Sequence, residues 1–298
     1  MNTKYQEIIQ KLGKGRVLLD EPLAKYTTFK IGGPADLFFE AKTEKELVKA
    51  VDLAKNLKAP YFILGQGSNV LVADKGFRGL TIKMGIESLE IKNDKVVVGA
   101  GLSLSKLTNL LIENSLTGLE FMAGIPGSVG GAVVGNAGAW QKNIGDRVVR
   151  VKVLNPEGET KWLGVKQSGF EYRSSRFKKG SEIVLLVELK LEKGDRQKIK
   201  KEIESNLAKR TSQPKEPSAG CVFVNPKPQS AGALIEKAGL KGARIGGAQV
   251  SPEHANFIVN IGGARASDVL ALSRLIKEKV KQEFGIDLKE EIVKIGEF

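Results

Sequence analysis

Apolar positions recur along this chain with two periods, and the order in which the periods alternate sets the expected architecture. Thr43 and Glu46 form a capping box, after which Leu47, Ala50, Val51, Ala54 and Leu57 return at helical spacing, so a helix packed on a sheet is expected. From Pro60 the texture changes to short apolar runs broken by Gly, Asn and Asp, at residues 61–64, 70–72, 80–82 and 96–98; these read as strands. Leu104, Leu107, Leu110 and Leu111 share one side of a second helix over 104–113, with Gly118 soon after its end. A small-residue segment at 124–139 leads to a hairpin whose strands, 148–154 and 160–163, flank the turn residues Asn155, Pro156, Glu157 and Gly158.

Residues 183–191 are strongly β-prone, and Asp195 opens a charged helix in which Ile199, Ile203 and Leu207 lie four apart. Beyond a loop containing Pro214 and Pro217 the pattern predicts a strand at 222–224, a short helix over 231–238 and a strand at 257–259. A long amphipathic helix follows, with Val269, Leu272, Leu275, Ile276, Val280 and Phe284 inward and Gly285 as its stop. This mixture lacks the regular alternation of a doubly wound sheet, so the fold class is α+β. The domain boundary is expected at Asp195, giving residues 1–194, with lobes of about 1–59 and 60–194, and residues 195–298.

With 298 residues and 41% apolar composition the chain can bury a substantial core. Its start carries Lys4, Glu7, Lys11 and Lys14 without a signal-peptide core, and no stretch approaches the roughly 20 apolar residues that cross a bilayer. A cytoplasmic, unprocessed protein with no membrane partner is therefore expected. Cys221 is the sole cysteine, which rules out an intramolecular disulfide, and His254 the sole histidine, which rules out a multi-histidine metal site; no metal is expected. The net charge of +13 favours anionic partners. A basic nucleic-acid-binding protein is one reading of it, but basic residues are interleaved with acids, aromatics total 6%, and no basic-aromatic stripe offers base stacking.

The glycines bear on chemistry. Gly65, Gln66, Gly67, Ser68 and Asn69 follow a strand and can present backbone N–H groups to a phosphate. As a Rossmann fingerprint the loop fails, because Val70 stands where the third glycine would fall and a strand follows where a helix is required. The segment from Gly124 to Ala139 has no Lys-Ser/Thr ending, so it is not a P-loop. Its glycines serve either close packing or approach to a cofactor, and sequence physics leaves both open. Gly32 and Gly33 form a third cluster.

Three segments in order, TTFKIGGPAD from Thr27, LGQGSNVLV from Leu64 and GIPGSVGGAVVGNAGA from Gly124, resemble the FAD-binding half of the UDP-N-acetylenolpyruvoylglucosamine reductases, flavoproteins of the vanillyl-alcohol-oxidase fold type. YRSSRF from Tyr172, QPKEPSAGCVFVNP from Gln213, AGALIEKAGLKG from Ala231 and the tail EEIVKIGE extend the resemblance over nearly the whole chain. It implies a two-lobed FAD-binding domain over 1–194 and an α+β substrate-binding domain over 195–298. It also implies reduction of UDP-N-acetylglucosamine enolpyruvate, with FAD as cofactor and NADPH as co-substrate, in peptidoglycan precursor synthesis. Another FAD-dependent oxidase or dehydrogenase of the same fold is the nearest alternative. Partners are then a UDP-sugar and NADPH, without nucleic acid, and a monomer is slightly favoured.

Carried over residue by residue, the resemblance assigns the cofactor to Thr28, Ile31, Gly32, Gly33, Leu64, Gly65, Gly67, Ser68, Asn69, Gly124, Ile125, Pro126, Gly127, Ser128, Gly130, Gly131, Asn136, Ala137 and Gly138. It assigns Arg173 to the substrate carboxylate and enolate, a task suited to a fork charged at any working pH; the residue types alone read rather as a surface ion pair. Cys221 stands where many members have Ser, as proton donor. A thiol of pKa about 8.5 is mostly protonated at neutral pH yet far more acidic than an alcohol, although a lone Cys beside Val222 and Phe223 also reads as a small buried hydrophobe. Glu291 matches a third active carboxylate, with Glu290 expected on the opposite face of a strand. Arg210, Gln213, Asn225 and Asn256 are implied to hold the UDP-sugar. No Tyr lies between Arg173 and Cys221, so the chain resembles the shorter form of the family, without a tyrosine loop.

Overall fold

The computed structural model describes residues 3–298 and is α+β, dividing into two compact units. The first takes residues up to Leu18, Phe38–Gln66 and Leu80–Arg210, and the second takes Leu19–Leu37, Gly67–Gly79 and Thr211–Phe298. This partition differs from the boundary expected at Asp195. The Arg196–Ala208 helix, capped by the Asp195 side chain, belongs to the first unit. Its Ile199 and Ile203 are buried, and the Asn206 side-chain amide donates to the Glu120 carbonyl at 3.1 Å. The second unit, conversely, recruits two amino-terminal stretches.

In the first unit a five-stranded antiparallel sheet runs in the order Thr160–Gly164, Val148–Leu154, Ile183–Lys190, Lys95–Gly99, Leu89–Lys92. Val151, Val153, Leu185, Val187 and Leu189 are buried on it, and the expected hairpin is present. Tyr61–Leu64 pairs in parallel with residues 80–83 of the Phe77–Met84 strand. The Glu44–Asn56 helix forms where expected with half of its capping box, Thr43 accepting from the Glu46 N–H at 3.2 Å while the Glu46 carboxylate takes the Lys42 N–H at 2.8 Å. Leu104–Asn114 is the second expected helix and ends on Ser115 in the left-handed conformation. One element escapes the sequence pattern: Val129–Val134 is a short helix inside the glycine segment, capped by Ser128. Two glycines in six residues hid it, because glycine disfavours a helix interior.

The second unit is built on Ala266–Phe284, whose Val269, Leu272, Ile276 and Val280 are fully buried and whose Gly285 is left-handed at φ 70°. That face belongs to one apolar cluster with Phe29, Ile31, Leu71, Val222, Phe223, Leu234 and Ile292. The antiparallel sheet order is Ser218–Cys221, Phe257–Asn260, Ala248–Val250, Arg244–Ile245. Separately, Val70–Val72 pairs in parallel with Val293–Ile295. The strand expected at 222–224 is displaced to Ser218–Cys221. Val222 and Phe223 are buried, but the Asn256 side chain takes over the strand partner's role, accepting from the Phe223 N–H at 3.0 Å and donating to its carbonyl at 2.8 Å.

Asp74 caps the long helix from a distant stretch of chain. Its carboxylate accepts from the Ala266 and Ser267 N–H groups at 2.7 and 3.1 Å, two of the donors a helix start leaves unsatisfied. Burial alone would raise the carboxyl, but these bonds outweigh it and hold it below the ordinary aspartate range. A carboxyl lowered in the fold stabilises above its unfolded pKa and loses that contribution as pH falls through the folded one. Asp74→Ala should therefore cost about 1 kcal/mol in urea unfolding at neutral pH. The difference from the parent should shrink on acidification; a difference independent of pH would show that the capping charge contributes nothing.

Candidate active site

In the first unit the glycine segment is a packing element before it is a cradle. Val129 and Gly130 donate to the carbonyls of Leu102 and Ala100, both at 2.9 Å, and a Cβ on Gly130 would press to 2.8 Å from Ala100. Gly127 accepts from the Leu104 N–H at 2.9 Å, Ile125 donates to Met122 at 3.0 Å and Ala137 to Ala132 at 2.7 Å. Gly138 sits in the short pairing with Lys142 and Asn143, where a side chain would strike the Lys142 carbonyl. Exposed surface remains at Gly124, Pro126 and Gly131. The packing reading accounts for Gly130 and Gly138, whereas Gly131 keeps an open face toward Ser128.

Ser128 is buried, accepts from the Gly131 N–H at 3.3 Å and lies 2.8 Å from where a Cβ on Gly65 would stand. Leu64 is buried at the end of its strand, and the Gly65 carbonyl receives the Lys83 ammonium. Burial pushes Lys83 below the ordinary lysine range. Sequence reasoning passed over this cation; its signal was a lysine inside the otherwise buried run Leu80, Thr81, Ile82, Met84.

Arg173 is presented by a tight turn. Glu171 and Ser174 exchange backbone bonds at 3.0 and 3.2 Å, and Arg173 between them holds φ 55°, a left-handed conformation that costs a non-glycine residue and concentrates at functional sites. The turn is tied to the glycine segment on both sides. Asn136 Nδ2 donates to the Glu171 carbonyl at 2.9 Å, and Ser175 Oγ donates to the Val134 carbonyl at 2.8 Å. Arg210 is the second cation here. Its Nε donates to the Ala123 carbonyl at 2.9 Å, its stem crowds Gly124, and its guanidinium lies 5.7 Å from the Trp140 ring. Burial and the positive charge of Arg173 both lower the Arg210 pKa. An anion would relieve that repulsion.

In the second unit Cys221 ends a strand, whereas Glu291 lies just ahead of Val293–Ile295, outside any strand, so the strand alternation expected of Glu290 and Glu291 does not apply. Cys221 ends Ser218–Cys221 opposite Phe257, while the Glu291 N–H donates to the Val222 carbonyl at 2.7 Å. Glu290 does not serve as its twin. One oxygen accepts from Ser273 Oγ at 2.6 Å and the other pairs with Lys294 at 2.5 Å. Burial would raise the Glu290 carboxyl, but its bonds to Lys294 and Ser273 outweigh that and hold it low.

The Gly67 to Asn69 loop lies in this unit, and among the described residues no carbonyl of the backbone accepts from the N–H of Gly67 or Ser68. Gly67, at φ 65°, passes so close to Tyr26 that a side chain would strike its carbonyl. Other expected ligands have structural duties. Ile31 is buried in the apolar cluster, Gly32 abuts Val72, and Gly33 packs on the Asp74 backbone while donating to the Ala73 carbonyl at 3.0 Å. The side chains of Thr28 and Asn69 bond to the carbonyls of Ser218 and Glu291.

Of the residues expected to hold the UDP-sugar, Asn256 is buried and engaged at both ends by Phe223, so its amide is committed to the fold. Asn225 Oδ1 accepts from the Ala231 N–H at 2.9 Å at the start of the Ala231–Lys237 helix. Gln213 is half-buried in a loop. The His254 pKa is lowered by burial, and the ring accepts from the Asn256 N–H through Nδ1 at 3.2 Å and packs edge-on to Phe257, a structural role. No group of three or more metal-ligating side chains occurs among the described residues, and none of their helices is long and apolar enough to cross a membrane.

Comparison with known proteins gives this geometry a context. Residues 35–164 match the FAD binding domain family and residues 213–295 match the C-terminal domain of UDP-N-acetylenolpyruvoylglucosamine reductase. UDP-N-acetylenolpyruvoylglucosamine reductase 1 of Bacillus thuringiensis subsp. konkukian is 47% identical over 287 residues, 95% of each chain. The reductase of Halalkalibacterium halodurans is 44% identical over 295 residues, 98% of each. The crystal structure of the Thermus caldophilus reductase superposes with a TM-score of 0.81 at 39% identity, covering 94% of this chain and 98% of that one. An alkyldihydroxyacetonephosphate synthase, at 17% identity and a TM-score of 0.50 over 63% of this chain and 40% of its own, shares the fold alone.

Asn136 joins the two halves of the first unit's cluster, since its Oδ1 also accepts from the Gly145 N–H at 3.1 Å. Asn136→Ala removes a buried amide and leaves its two part-buried backbone partners without it, and should cost about 1–3 kcal/mol in chemical denaturation. A loss below the error of the measurement would mean that the Arg173 turn is held by other contacts.

Proposed function

Since the chain belongs to the UDP-N-acetylenolpyruvoylglucosamine reductase family, we propose that Arg173, Cys221 and Glu291 carry its reduction of UDP-N-acetylglucosamine enolpyruvate to UDP-N-acetylmuramate, a cytoplasmic step of peptidoglycan precursor synthesis. The observation that supports this division of labour is the bond from the Glu291 N–H to the carbonyl of Val222, the residue after Cys221, in the unit that also holds the Gly67 to Asn69 loop.

FAD fits the donor set of the glycine loops. The N–H groups of Gly67 and Ser68 suit a pyrophosphate, and Gly65 and Gly131 place no side chain around the Ser128 hydroxyl. When bound and reduced by NADPH, FAD supplies the hydride that the enolpyruvyl group needs. Everything else falls to side chains. Arg173 fixes a positive charge for the substrate carboxylate and the enolate that develops from it, on a turn already held in a strained conformation so that little reorganisation remains. Cys221 gives its proton to the carbon next to the carboxylate, and Glu291 steers that protonation. Arg210, beside Trp140 and Gly124, offers a second cation to the anionic substrate.

Purified protein should be yellow, bleach with NADPH in the absence of oxygen, and turn over the enolpyruvyl UDP-sugar. In Cys221→Ala the flavin should still bleach, while kcat for substrate falls about 10²–10⁴-fold, the range lost with a general acid. Turnover of that variant at the parent rate would remove the thiol from the reaction.

A further inference from the structure

Two side chains expected to touch the cofactor bond to backbone carbonyls of the second unit. Thr28 Oγ1 donates to the Ser218 carbonyl at 2.7 Å, and Ser218 begins the strand that ends in Cys221. A hydroxyl has one proton to give, so this bond commits it. The Thr28 N–H meanwhile donates to the Gly67 carbonyl at 3.1 Å, joining the same residue to the glycine loop. On the other side of the loop, Asn69 Nδ2 donates to the Glu291 carbonyl at 3.2 Å and the Asn69 carbonyl accepts from the Val293 N–H at 3.0 Å.

These contacts close a ring. The loop holds Glu291 through Asn69, the Glu291 N–H donates to the carbonyl of Val222 next to Cys221, and the Cys221 strand returns to the loop through Ser218 and Thr28. Every link is a hydrogen bond within the second unit. Glu290, fixed by Ser273 and Lys294, anchors the ring to the long helix.

We propose that Thr28 and Asn69 are positioning residues which lock the glycine loop to the Cys221 strand and to the segment bearing Glu291, so that a dinucleotide on the loop sets the reactivity of the Cys221 thiol. A phosphate drawn to the Gly67 and Ser68 N–H groups orders the loop, and the ring passes that order to the Cys221 strand and the Glu291 segment, a coupling between loop and thiol that needs no direct contact. The inference rests on the assignment of Cys221 and Glu291 to the reaction, but its readout does not require turnover.

Cys221 is the sole cysteine, so alkylation by iodoacetamide reports on it alone. The rate is measured across pH on the full chain with and without FAD, for the parent, Asn69→Ala, Thr28→Val and Thr28→Ser, with flavin retention followed at the same time by its visible absorbance. FAD should shift the parent's alkylation rate. In Asn69→Ala and Thr28→Val, compared at saturating FAD, the shift should shrink about two- to tenfold, the worth of one hydrogen bond. Thr28→Ser, which keeps the hydroxyl, should restore it and shows that the position tolerates change. A parent rate indifferent to FAD, or a shift of parental size in both ring variants, would overturn the coupling. Loss of flavin with an unchanged thiol rate would make Thr28 and Asn69 plain cofactor ligands. Full turnover in Cys221→Ala would instead dismiss the thiol from the reaction and leave the coupling measurement standing.

Discussion

The pairing of Val70–Val72 with Val293–Ile295 is the constraint on which the second unit depends. Parallel strands cannot be joined by a tight turn, so this contact requires a long connection, here spanning more than two hundred residues of chain. Its consequence is chemical as well as structural. The glycine loop that precedes one strand and the Glu291 that precedes the other are held at the same end of the pair, and the Val222 carbonyl beside Cys221 bonds to the Glu291 N–H. A loop fit for a phosphate and two side chains fit for proton transfer are thereby folded as one piece.

The first unit follows a different logic. Its glycine segment is spent largely on close packing against residues 100–102, and that packing fixes the base on which the Arg173 turn stands. Strain at Arg173 is tolerated because Asn136 and Ser175 grip the turn from either side. Arg210 is held by backbone carbonyls and an aromatic ring, and its guanidinium feels the charge of Arg173.

How much of this could be read from the chain depends on the distance over which each element is decided. The Glu44–Asn56 and Ala266–Phe284 helices were legible because periodicity, a cap or a terminal glycine are local signals. The displaced strand at Ser218–Cys221 was not, because Phe223 finds its hydrogen-bond partner in the side chain of Asn256. The same fact turns Asn256 from an expected substrate ligand into a clamp. Interleaved units were equally hidden, since no local pattern reports that residues 19–37 and 67–79 fold with the carboxyl-terminal third. The family was legible in ordered motifs, whereas the duties of Thr28, Asn69 and Ile31 needed coordinates: a residue type suited to a ligand is as often suited to a carbonyl.

Hydrogen exchange with and without saturating FAD tests most directly whether the glycine loop and the carboxyl-terminal strand form one piece. Protection should rise together in peptides covering residues 67–72 and 291–295, because the cofactor orders a loop whose next three residues are paired with that strand. A rise confined to 67–72, with 291–295 exchanging at the same rate in both states, would contradict the account.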